Sequence, residues 1–85
     1  MGYENLKVLL VDDSSTMRTV LTDILEQIGF KKEHVSEAVD GQDGVSKVAK
    51  GSFDLILMDW NMPNMNGLVA VRTIRESGST TPIMM

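Results

Sequence analysis

Two apolar runs in this chain stop at acid. Val8-Leu9-Leu10-Val11 gives way to Asp12-Asp13, and the run over residues 53–58 gives way to Asp59, followed by Trp60-Asn61-Met62-Pro63. Strands over residues 7–11 and 53–58 are expected to be buried and parallel, which places their carboxyl ends, and so three carboxylates, at one edge of a sheet. Like charges in one crevice repel unless a cation joins them. A hard divalent ion with oxygen ligands, most simply Mg²⁺, meets that need, and a carboxylate beside Mg²⁺ is positioned to take a phosphoryl group.

Between these runs the apolar period switches to helical spacing. Ser14 or Ser15 offers an N-cap, and Met17, Val20, Leu21, Ile24, Leu25 and Ile28 follow three and four residues apart up to Gly29, a C′ glycine. A strand is expected over residues 35–39. Asp40-Gly41 then turns the chain into a second helix carrying Val45, Val48 and Ala49, which Gly51 stops. A loop over residues 61–66, broken by Pro63, leads into a third helix marked by Leu68, Val71 and Ile74 and ended by Gly78. Pro82-Ile83-Met84-Met85 looks like the opening of a fourth strand. Strands alternating with helices predict an α/β fold, a doubly wound parallel sheet covered on both faces, and here one truncated after the start of strand 4.

At 85 residues the chain makes one small domain at most. Twelve acidic against eight basic side chains, with no basic cluster beyond Lys31-Lys32, argue against nucleic acid as a partner. Without cysteine there are no disulfides or thiolate metal sites, and no apolar run is long enough to span a bilayer. A cytoplasmic protein is expected.

Several residues have ordinary structural readings. Taken alone, Asp12-Asp13 would serve equally as turn residues feeding a helix N-terminus, where acids favour the macrodipole. Asp40-Gly41-Gln42-Asp43-Gly44 reads as a turn and helix start before it reads as a phosphate loop. His34 has no second histidine and no cysteine for company and is expected at the surface. Met17 and Met58 are expected to fill gaps on core-facing or strand positions, Met62 and Met65 to pack the loop behind Asp59, and Trp60 to be half exposed.

The stretches Val11-Asp12-Asp13-Ser14-Ser15-Thr16-Met17-Arg18, Glu37-Ala38-Val39-Asp40-Gly41 and Asp59-Trp60-Asn61-Met62-Pro63-Asn64-Met65-Asn66-Gly67 closely resemble receiver domains of two-component response regulators, the chemotaxis branch most of all. The resemblance runs through the whole chain in order and spacing, making residues 1–85 a partial receiver domain. It implies the flavodoxin-like strand order 2-1-3-4-5, an order that comes with the family and not from these residues. It also implies Asp59 as phosphoacceptor, Asp12 and Asp13 as the acidic pair that helps hold Mg²⁺ together with Asp59, and Asn61 as a metal ligand through its backbone carbonyl. The implied partners are a sensor histidine kinase and a chemotaxis output protein. Such a chain is a phosphoacceptor, not an enzyme acting on other molecules.

The family's strand 4 hydroxyl and strand 5 lysine would both fall beyond Met85, and self-association of an incomplete sheet is the alternative behaviour expected. Gly44 stands where the family commonly has alanine, which should weaken the second helix by about 1 kcal/mol. A Mg²⁺-dependent phosphohydrolase with an aspartyl nucleophile is a remoter alternative, since it usually wants Asp-x-Asp where this chain has adjacent aspartates.

Overall fold

The computed structural model describes residues 3–60, 62 and 65–85. Strand β1 is Val8–Val11, β2 Val35–Ala38, β3 Leu55–Met58 and β4 Ile83–Met84; helix α1 is Ser15–Gln27, α2 Gly41–Lys50 and α3 Gly67–Glu76, with a single 3-10 turn at Lys32–His34 before β2. The four strands form one parallel sheet in the order β2-β1-β3-β4. The elements follow the apolar periods, with boundaries shifted by one or two residues. The first and third strands begin at Val8 and Leu55, and the second ends at Ala38.

All four residues of β1 are buried because helices lie on both sides of it. Leu9 and Val11 join Ala38, Ile56, Met58, Ala70 and Ile74 in one core cluster, beneath α2 and α3. Val8 and Leu10 point the other way, toward Leu25 of α1 and Phe30, as the period of two requires. Tyr3 stacks on Phe30, ring centroids 5.0 Å apart, and closes that second cluster.

Helix termini are set by local chemistry. Ser14 caps α1 by accepting from the Met17 amide, Asp40 caps α2 through the Asp43 amide, and Asn66 caps α3 through the Val69 amide. Gly29 and Gly78 take positive φ just past α1 and α3, the left-handed turn that glycine makes without strain. Asp40-Gly41 is therefore a helix start, as the bland reading had it.

On α1 the expectation for Met17 needs correction, whereas part of the stripe of Val20, Leu21, Ile24 and Leu25 is bare, as an incomplete sheet leads one to expect. Of its apolar stripe only Leu25 is buried, with Thr22 beside it; Met17, Val20, Ile24 and Ile28 are exposed and Leu21 is half buried. Helical spacing identifies a common face, yet among the described residues α1 is the only α-helix on its side of the sheet, so much of that face has no described residue to pack against. Met17 is accordingly not a core residue. Leu68, at the start of α3, is exposed as well, the buried face of that helix being Gly67, Ala70 and Ile74. Gly44 also differs from its expected role. It is buried, and a Cβ there would lie 2.9 Å from a Val11 methyl, so its bareness lets α2 approach β1 closely.

His34 is half buried, its Nδ1 2.9 Å from the Glu4 carbonyl oxygen. Among the described residues no helix is long and apolar enough to cross a membrane.

Candidate metal and phosphoacceptor site

Parallel registry builds the site. Val11 of β1 is paired with Met58 of β3 and with Ala38 of β2, so the residues that follow leave the sheet side by side. The Asp12 amide donates to the Ala38 carbonyl at 3.1 Å and the Asp59 amide to the Val11 carbonyl at 2.9 Å, continuing the ladder one residue past the strands. Asp12, Asp13 and Asp59 each present a carboxylate oxygen, and these oxygens lie within 4.8 Å of one another. Asp12 and Asp59 are half buried, Asp13 exposed.

Each acid is differently held. Asp12 accepts from the Ser14 amide through Oδ1 at 2.8 Å, a side-chain turn that leads into the α1 cap. Its carbonyl accepts from Arg18 Nη1 at 2.5 Å, and Arg18 Nε donates to Glu37 Oε1 at 2.7 Å. Neither Asp13 nor Asp59 receives a side-chain hydrogen bond from any described residue.

The segment behind Asp59 is clamped from two sides. The Gly67 amide donates to the Trp60 carbonyl at 3.0 Å, and a Cβ on Gly67 would overlap the Asp59 carbonyl oxygen and come within 2.6 Å of Met85 Cε. Gly41 likewise lies where a Cβ would overlap the Met65 carbonyl. Met62 is buried against the Leu9 and Val11 cluster and Met65 packs on it, while Trp60 is half exposed, all as expected. Asn61 and Pro63 lie outside the described residues, so the expected backbone ligand of Asn61 has no observed position. A cavity of about 380 Å³ opens beside Asp12 and Asp59, walled by Met17, Leu21, Leu57 and Met84.

Three carboxylates this close repel by roughly 1 kcal/mol per pair even at the dielectric of water. Among the described residues the donor set offered is hard oxygen, which suits Mg²⁺ or a similar ion and not a soft metal. The residues present thus fit the implied cation.

Sequence reasoning quoted Arg18 and Glu37 within the family-like stretches but gave them no role. They are 19 residues apart, on α1 and β2, and nothing in local periodicity signals such a pair.

The chain matches the family model described as response regulator receiver domain over residues 8–85. It is 39% identical over 84 residues to the chemotaxis protein CheY-3 of Vibrio cholerae serotype O1, a match spanning 96% of this chain and 63% of that protein's length. Among solved structures, Vibrio cholerae CheY4 is 38% identical with a TM-score of 0.80, covering 92% of this chain and 64% of that one. The receiver domain of the Arabidopsis thaliana histidine kinase CKI1, solved complexed with Mg²⁺, is 32% identical with a TM-score of 0.86, covering 95% and 66%.

Proposed function

Since the chain belongs to the response regulator receiver domain family, we propose that it is a phosphoacceptor of a two-component system, with Asp59 taking the phosphoryl group and Asp12, Asp13, Asp59 and the Asn61 carbonyl holding Mg²⁺. The single observation that carries this reading is the convergence of three carboxylates from two adjacent strand ends, with oxygens within 4.8 Å.

The division of labour follows from how each acid is tied. Asp12 is committed on three sides, to β2, to Ser14 and to Arg18, and so is a fixed anchor. Asp13 is exposed and accepts from no described donor, open for ligation from solvent. Asp59 follows the inner strand β3 with a carboxylate that no described residue occupies, and a free carboxylate oxygen is what attack on phosphorus requires. A bound Mg²⁺ would supply positive charge that offsets the carboxylates and the phosphoryl oxygens. Asp59 then forms a bond to phosphorus as the donor's imidazole nitrogen, or the carboxylate of a small acyl phosphate, departs with its bonding electrons. The product is an acyl phosphate on Asp59.

The partner class is a sensor histidine kinase, the output partner belongs to chemotaxis by likeness to the CheY proteins, and the setting is the cytoplasm. Beryllofluoride, a mimic of the phosphoryl group on a carboxylate, tests the acceptor without any kinase. In Mg²⁺ it should change Trp60 fluorescence of the wild type and leave Asp59→Asn unchanged; equal responses in both would remove Asp59 from the role.

A second reading, association of two copies, is favoured by the bare face of α1 and by β4, which among the described residues pairs on one side only. It is compatible with the first.

A further inference from the structure

A well-bonded, mostly buried charge near the acids belongs to a residue with no place in the reaction. Arg18 sits in the first turns of α1 with a side chain only 12% exposed, and two of its nitrogens serve two different elements: Nη1 the Asp12 carbonyl after β1, Nε the carboxylate of Glu37 on β2. Glu37 is in turn held from the other face, where Lys47 Nζ of α2 donates to its carbonyl and lies 3.5 Å from Asp43 Oδ2, which accepts from the Val39 amide. Edge strand β2 is thereby stapled to both helices next to the acid turn.

With its Glu37 partner half exposed, an ion pair of this sort contributes little to stability. Its geometry is another matter. Two of the bonds that fix Asp12 run to β2, one directly through Ala38 and one through Arg18 and Glu37. We propose that Arg18 is a positioning residue: by gripping the Asp12 carbonyl and the Glu37 carboxylate together, it sets the turn that presents Asp12 and Asp13 to a cation and makes that turn depend on the edge strand. This rests on the cation-site reading above only where Mg²⁺ is the readout. A guanidinium can span the two acceptors because its nitrogens form a rigid planar fork; an ammonium is a single nitrogen on a flexible stem and does not fix the two acceptors relative to each other.

Arg18→Lys is therefore the informative variant, since it keeps the charge and removes the fork. In the metal-free 85-residue chain, amide exchange at Ser14, whose N–H is bonded to Asp12 Oδ1, should quicken relative to wild type while amides of β3 keep their protection. In calorimetric titration with Mg²⁺ alone, the Kd should rise about tenfold, the lower end of what contacts behind a metal ligand contribute. Glu37→Gln, which leaves Nε an acceptor, should show a smaller change, and adding it to Arg18→Lys should do little more, as expected of groups acting as a unit. A wild-type Kd and wild-type Ser14 exchange in Arg18→Lys would overturn the proposal, as would changes that appear only together with lost protection throughout the sheet. Should wild type itself bind no Mg²⁺, the cation reading falls, and Ser14 exchange still decides the role of Arg18.

Discussion

Val11 and Met58 are register partners across β1 and β3, and the Asp59 amide donates to the Val11 carbonyl at 2.9 Å, so Asp12 and Asp59 leave neighbouring strands at one level. A parallel sheet delivers strand-end residues to the same edge, and here it delivers like charges. The closeness that suits a cation is unfavourable in its absence.

The first prediction follows from that conflict. Asp13 is the exposed member and bonds to no described donor, so Asp13→Asn removes repulsion without removing a contact. The metal-free variant should be more stable than wild type by about 1 kcal/mol at low ionic strength, with the difference shrinking as salt is added. Mg²⁺ should raise the melting temperature of wild type and not of Asp13→Asn. Urea titrations at two salt concentrations, with and without Mg²⁺, measure both effects.

The strands, the three helices, the cap at Ser14 and the helix start at Asp40-Gly41 were legible because each rests on short-range pattern, apolar period and capping chemistry, and parallel strands put the three acids at one edge; that β1 and β3 are neighbours came with the family resemblance. Three things were not. The exposure of Met17 depends on what lies opposite α1, and periodicity gives a face without saying how far along the helix it is covered. Gly44 read as a flaw in a helix, whereas its value lies in the close approach to Val11, a contact 33 positions away in sequence. The Arg18 to Glu37 bridge joins separate elements and leaves no local trace.

Gly67 gives the second prediction. Gly67→Ala must push a methyl against the Asp59 carbonyl oxygen, a backbone atom that cannot rotate away. Destabilisation of about 2 kcal/mol is expected. Because the displaced atom belongs to Asp59 itself, Mg²⁺ affinity should fall as well, which calorimetry on the still-folded variant would register.

A third concerns the bare face of α1. Val20 and Ile24 are each nearly half exposed, so lysine at both should leave the fold intact while disrupting contact between copies. Light scattering across a concentration series should show wild-type mass rising and the double variant holding at the monomer mass. A wild type that stays monomeric throughout would dispose of association.

If Asp59 is the acceptor, treatment with acetyl phosphate and Mg²⁺ followed by peptide mass mapping finds the phosphoryl group on the peptide that carries Asp59, and Asp59→Asn acquires none under the same conditions. A yield in Asp59→Asn equal to that of wild type, or a label mapped to Asp12 or Asp13, would contradict the assignment.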